Sequence, residues 1–283
     1  MLDSLCARKL TEIVSGGISG RGPSVLCDDV LWSEAVDLIR VSKSVAVITG
    51  FFVPSKGAAE TDGPPGSTAL ACALASFGLQ TEIWTDFRCE AAVRACAEAV
   101  GYPCVQVRDV SETISDVRLP DLLIYVERLG RSANGAYYDM SGNDISSFTI
   151  PLDEFAIRGD CAVIGIGDGG NEVGMGNYVD SLAEIMPDYV ECFSVVGADV
   201  AIPVDVSNWG AYAMVAALSL EAGVWLGHSN DDEIRMSEAL LRAGAVDGLQ
   251  KTPSASVDGF DLSKQLEILT ALRELSRIKS KRR

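Results

Sequence analysis

One histidine, His228, stands in a chain of 283 residues. A Ser-His-Asp or Cys-His machine would have to be built on that single imidazole. His228 lies in the polar turn Gly227-His228-Ser229-Asn230, where a helix end or N-cap region is the expected role. Acid–base chemistry therefore falls mainly to carboxylates. Bases are also scarce: 23 Lys and Arg face 40 Asp and Glu, for a net charge of −17. Six of those 23 sit in the last eleven residues, Arg273 to Arg283, so the rest of the chain is more acidic still. Such a surface repels phosphate backbones and anionic lipid, which argues against nucleic acid and membrane as partners. The tail (Lys279, Lys281, Arg282, Arg283) reads as a solvated helix C-terminus that complements the helix dipole; contact with an acidic partner is the alternative.

Other absences narrow the class further. The eight cysteines contain no C-x-x-C pair and are too dilute for a disulfide scaffold. With one histidine beside them, they do not suggest structural zinc either. The longest apolar run, Ala211 to Leu226, is broken by Glu221 and is too short to span a bilayer. Met1 to Ser15 mixes acids with apolar residues and does not read as a secretory leader. A cytoplasmic protein is expected, with the mitochondrial matrix as the option for a eukaryotic source.

What is present is an alternation. Ser44 to Gly50 is a short β-branched run ending at glycine, as a buried parallel strand does. Gln80 to Thr85, Asp121 to Val126, Cys161 to Gly167, Cys192 to Gly197 and, more weakly, Cys104 to Val107 repeat that pattern. Helical patterns occupy Ser67 to Phe77, Glu90 to Val100, Val173 to Met186 and Asn208 to Leu226. Amphipathic helices are expected at both termini, on Leu2, Leu5, Ile13 and Val14 and on Leu262, Leu266, Leu269, Leu272 and Leu275. The expectation is one α/β domain over residues 1–283: an open, mainly parallel sheet with helices on both faces, a Rossmann-like three-layer fold. Arg128 to Pro151 breaks the alternation and reads as a hairpin or a long functional loop.

Ligands of open parallel sheets bind beyond the carboxyl ends of the strands. Three strands end there in polar, glycine-rich segments: Thr49-Gly-Phe-Phe with Glu60-Thr-Asp62-Gly-Pro-Pro-Gly66, then Glu127-Arg128-Leu-Gly-Arg131, then Gly167-Asp168-Gly169-Gly170-Asn171-Glu172-Val-Gly-Met-Gly176. The third segment has more glycines than a turn needs. It reads as a ligand loop whose backbone amides approach an anion, with Asp168 and Glu172 as acid/base groups or metal ligands. Turn and cap chemistry is its structural alternative. Glu60 and Asp62 are equally suited to capping the helix near Pro64, whereas Glu127, Arg128 and Arg131, directly after a buried strand, favour a functional role over a surface ion-pair cluster.

These motifs, with Tyr137-Tyr-x-Met-x-Gly142 and Asp144-Ile-Ser146, resemble the family of the D-glutamate cyclase C-terminal domain from about Arg21 to past Leu226. The resemblance implies a lyase that closes D-glutamate to 5-oxo-D-proline with loss of water. Larger mitochondrial members of that family carry a second, N-terminal domain, for which this chain has no room. The implied site has Asp168 and Glu172 as general base and acid, with Glu127 a further catalytic group. Arg128 or Arg131 would bind a substrate carboxylate, with Thr49 and Asp62 beside it. Gly169 and Gly170 amides with Asn171 would hold the oxyanion. Alternatively a divalent Mg or Mn ion on Glu60, Asp168 or Glu172 would polarise the carboxyl. No organic cofactor is expected; the partner is a small anionic amino acid, and a homo-oligomer is an option. The Gly167-Asp-Gly-Gly-Asn-Glu loop is also similar to the acidic loop of haloacid-dehalogenase-like phosphatases, although the first strand lacks their Asp-x-Asp. A metal-dependent phosphohydrolase is thus the rival enzyme, and a small-molecule sensor domain the non-enzymatic reading.

Overall fold

The computed structural model describes residues 2–100 and 105–280; Cys104 and the side chains of the basic tail from Lys279 onward lie outside the described residues. Strands form at β1 (Ser44–Thr49), β4 (Gln80–Thr85), β5 (Gln106–Asp109), β6 (Leu122–Val126), β7 (Ala162–Gly167) and β8 (Val200–Pro203), with a small antiparallel ribbon of β2 (Phe52–Val53) and β3 (Ala58–Ala59). The helices are α1 (Ser4–Val14), α2 (Val30–Val41), α3 (Pro64–Phe77), α4 (Glu90–Ala99), α5 (Glu154–Ile157), α6 (Val179–Ile185), α7 (Ser207–Ala222), α8 (Asn230–Arg242) and α9 (Leu262–Ser280).

The six main strands pair in parallel in the order β5-β4-β1-β6-β7-β8. Chain order reverses at the β1–β6 neighbours, the switch point where a doubly wound sheet opens a crevice at its carboxyl edge. Side chains alternate between two cores, as a strand's period of two requires. Val45 and Val47 of β1 enter the larger core with α1, α2, α3, α4, α7, α8 and α9, while Ala46 and Ile48 join Trp84, Tyr125, Leu152 and Phe155 on the other face. That second face is covered by α5, by α6 over Ala201, and by loops, so the three layers are unequal. No described helix is long and apolar enough to cross a membrane.

Two helices fix the carboxyl edge. Over α7, every residue from Ser207 to Leu220 is buried, as it is over α3 from Pro64 to Leu74, so both run through the protein interior. Their first turns touch: a Cβ on Gly66 would lie 2.8 Å from the Asn208 Cα. Each start is capped by a residue from the other. Asp62 accepts hydrogen bonds from the Ser207 and Asn208 amides at 2.9 and 2.8 Å. Asn208 Oδ1 in turn accepts from the amides of Gly63 and Gly66 at 3.0 and 2.7 Å. Four orphan amide groups are satisfied by two side chains, in a place water does not reach.

Two expectations change. Cys192–Gly197 is not a strand: it follows a 3-10 turn (Pro187–Cys192), and its amides serve the loops, Ser194 bonding to the Gly170 carbonyl and Val195 to that of Arg131. The sixth strand is β8 instead. The helix expected over Val173–Met186 is delayed to Val179, because Gly174 has φ 102° and Gly176 lies flat against the Val195–Val196 backbone. Helices α2 and α8 lacked a sequence expectation. Asn208→Ala strips the α3 start of its acceptor, and is expected to destabilise the chain by about 2–3 kcal/mol. Urea unfolding measures this; a loss under about 0.5 kcal/mol would deny the capping pair its role.

Candidate active site

Glu60 and Asp62 come from the segment after β1, Glu127 directly follows β6, and Asp168 and Glu172 follow β7. The loop before α9 adds Asp258, and all six acids are at most 7% exposed. Carboxylate oxygens of Asp62, Asp168 and Asp258 lie within 4.8 Å of one another, as do those of Glu127, Asp168 and Glu172. Asp168 is common to both groups. One guanidinium serves the cluster: Arg21 donates from Nη1 to Asp168 at 2.7 Å and from Nη2 to Asp258 at 2.6 Å. Arg21 rides on a glycine-spaced loop pinned by buried Asp205, which accepts from the Gly17 and Ser19 amides and from the Ser19 and Ser24 hydroxyls.

So many buried acids around one cation cannot all ionise at their ordinary pH. Burial and the Asp258 charge raise Glu60 and Asp62 well above the usual carboxyl range. Burial together with Asp168 and Glu172 does the same to Glu127. Asp168 is also raised by burial, with Arg21 pulling the other way. Asp258 is pushed up to about 8 by burial and the Asp168 charge. For Arg21, burial opposes the charge, and Asp168 and Asp258 outweigh it, so its value rises. Backbone strain adds to this: Glu127 and Asp258 hold left-handed φ values of 49° and 53°, where acids rarely sit.

Four of the six acids, Glu60, Glu127, Asp168 and Glu172, line the buried end of a cavity of about 830 Å³. Of the residues expected from sequence, Glu60, Glu127, Asp168, Gly169, Asn171 and Glu172 line it. The structure corrects several of their roles. Glu172 accepts from the Asp168, Gly169 and Gly170 amides at 3.2, 2.7 and 2.8 Å, so it shapes the loop and leaves those two glycine amides no freedom to hold an oxyanion. Gly170 and Asp62 lie behind the wall, as does Thr49, whose buried hydroxyl faces Gly63. Arg128 is buried and donates to the Gly50 and Ile150 carbonyls and to Asp86, stitching three loops rather than meeting a ligand. Arg131 pairs with Asp153 and Glu154. Asn171 lines the cavity and also anchors the loop after β6 through the Tyr138 carbonyl. That loop, Arg128 to Pro151, turns at a Tyr138–Asp144 bridge and supplies a cavity wall.

Arg21, Asp258, Ser207, Asn208 and Lys251 were not expected. Ser207 donates its hydroxyl to Glu127 at 2.7 Å, and Lys251, with φ 54°, is on the cavity wall. A sequence clue existed for Asp258 alone, in its Asp-Gly turn. The donor set fits a hard divalent cation: it is all oxygen, and the buried Asp258 Oδ2 has no hydrogen-bond partner. Glu60, expected as a ligand, joins neither carboxylate group, and Asp62 and Asp258 stand in its place.

Fold and site together define a doubly wound α/β protein with an acid-lined pocket at the switch point of its sheet. The chain belongs to the D-glutamate cyclase-like, C-terminal family, whose model matches residues 10–273. It is similar to the human protein named D-glutamate cyclase, mitochondrial, at 30% identity over 238 residues, which cover 75% of this chain and 38% of that protein. The chain thus spans well under half of that relative. Its structure is similar, at TM-score 0.45 and 8% identity, to the crystal structure of an exopolyphosphatase-related protein from Bacteroides fragilis, over 89% of this chain and 57% of that one.

A carboxyl group raised on folding binds more protons in the folded state between its unfolded and folded values, so stability falls as pH rises through that interval. For Asp258 the interval ends at about 8. The melting temperature should therefore fall between pH 6 and pH 8.5, and fall less in Asp258→Asn, since asparagine also tolerates a left-handed φ. Equal pH slopes for both proteins would contradict the assignment.

Proposed function

We propose that this chain closes D-glutamate to 5-oxo-D-proline with loss of water. The observation that carries the reading is a pair of carboxyls on the cavity wall with opposite partners. Asp168 is bonded to Arg21, which favours its ionised form. Glu127, within 4.8 Å of it, is buried beside Asp168 and Glu172, whose charges make it keep its proton more readily. Two carboxyls with separated affinities for a proton suit a base and an acid.

The reaction joins the substrate's own amine to its own γ-carboxyl, so proximity is intrinsic. Asp168 takes a proton from the ammonium, and the freed amine attacks the γ-carbon. Glu127 delivers a proton to the departing oxygen. The nitrogen loses two protons in all, one carboxyl oxygen gains two, and the C–O bond breaks to release water. Lys251 replaces Arg128 and Arg131 as the cation for the α-carboxylate. A Mg or Mn ion held by Asp62, Asp168 and Asp258, of which Asp168 lines the cavity, would supply Lewis-acid polarisation of the γ-carboxyl. The family membership supports the same chemistry, and the human relative's name is compatible with a mitochondrial-matrix setting. The phosphohydrolase reading is weaker, because β1 ends at Thr49-Gly50-Phe51-Phe52 with no carboxylate nucleophile.

Purified protein incubated with D-glutamate, with and without Mg²⁺ or Mn²⁺, is expected to form 5-oxoproline, read by chromatography. Asp168→Asn should lower kcat by about 10²- to 10⁴-fold while the chain stays folded. No product under any of these conditions would sink the cyclase reading. Phosphate release from p-nitrophenyl phosphate would revive the phosphohydrolase, and D-glutamate binding without turnover would indicate a sensor.

A further inference from the structure

We infer that the favoured substrate of this site is a γ-glutamyl amide with an apolar group on its amide nitrogen, closed to 5-oxoproline with release of the amine; the inference rests on the cyclase reading above.

Charge is the first reason. Free glutamate brings two carboxylates and one ammonium into a cavity walled by Glu60, Glu127, Asp168 and Glu172. The ammonium is attracted there. Lys251 can meet one carboxylate, but Arg21 is already shared between Asp168 and Asp258. The γ-carboxylate must then sit among the acids, since it reacts with the ammonium they attract. Any of those acids that is ionised repels it at short range. A γ-amide carbonyl is neutral, so it enters without that opposition and is a better electrophile than a carboxylate.

Shape is the second reason, and it is independent of the charges. The acids at the deep end are at most 7% exposed, whereas the solvent-open part of the lining carries apolar Phe148 at 38%, Ile185 at 41% and Leu249 at 62% beside exposed Ser141, Asn143, Asp144 and Asp188. Phe51, Met140 and Met186 continue that apolar lining. Phe148 is held in place by stacking on Phe52 at 6.2 Å, with the Arg88 guanidinium over both rings. Glutamate has ten non-hydrogen atoms, while a cavity of about 830 Å³ suits a much larger ligand. A molecule with its amine deep and an apolar tail at the mouth uses both ends.

The step balances without a co-reactant. The ammonium gives up two protons to the acid cluster, its nitrogen bonds to the γ-carbon, and the γ-carbon–nitrogen bond breaks. Those two protons go to the departing nitrogen, which leaves as an ammonium ion. Nothing is oxidised or reduced.

Three substrates test this on the purified chain: D-glutamate, D-glutamine and γ-D-glutamyl-n-butylamide, with 5-oxoproline and released amine both measured above the uncatalysed rate. The expected order of kcat/KM is D-glutamate lowest and butylamide highest, the butyl chain adding at least about tenfold over D-glutamine. Phe148→Ala, at a half-exposed position outside the reacting groups, should lower the ratio of the butylamide kcat/KM to that of D-glutamine about fivefold. Turnover of D-glutamate with both amides inert, or a butylamide no better than D-glutamine, overturns the inference and leaves the cyclase reading intact. Turnover of the amides alone upholds the inference and replaces water loss by amine release. No 5-oxoproline from any of the three overturns both.

Discussion

The mutual capping of α3 and α7 is the constraint on which the rest of the site depends. Asp62 completes the start of α7 and Asn208 completes the start of α3, so neither helix begins properly without the other. Both helices are buried for most of their length, and no water can substitute at their ends. Their positive dipole ends meet at the sheet's switch point, directly beneath the acids. The same bonds that start the helices therefore favour a concentration of carboxylates that a plain loop would not tolerate. Ser207, in the first turn of α7, extends the arrangement by reaching both Asp168 and Glu127.

That concentration leaves the acids short of positive partners. Asp168 is answered by Arg21, Glu172 by three amides and Asp62 by the α7 start, but Asp258 keeps one oxygen unpartnered. The cluster resolves the shortage by holding protons, or by taking up a cation from outside. An ammonium group and a divalent ion are both cations of that kind. Strain at Glu127 and Asp258 has the same setting: backbone in the left-handed region is tolerated where surrounding bonds over-determine it.

Much of the scaffold was legible because each buried strand is a β-branched run closed by glycine or a polar residue, and β1, β4, β6 and β7 fall where those runs do. Glu127 and Asp168 were legible for a related reason, since acids directly after buried strands of a parallel sheet have few other places to go, and Glu60 through the glycine-rich segment that leads into α3. The rest required tertiary structure. Arg21 reaches Asp168 across 147 positions in the chain, carried by a loop that Asp205 pins. Asp258 arrives from the far end through a turn organised by Asp247. Arg128 and Arg131 misled because a guanidinium beside a strand end serves a ligand and a backbone carbonyl equally well, and here Gly50, Ile150 and Asp153 claim them. The run Cys192–Gly197 has strand composition, yet its amides find their acceptors in Gly170 and Arg131 before any strand can.

The point to be tested is that the clustered acids hold protons which an external cation displaces. Calorimetric titration of Mn²⁺ into the purified chain, repeated in two buffers of different ionisation enthalpy, counts both ions bound and protons released. Saturable binding of a single ion per chain is predicted, accompanied by proton release, with loss of that binding in the Asp62→Asn, Asp258→Asn double variant. Absence of saturable binding, or binding without proton release that survives the double substitution, would contradict it.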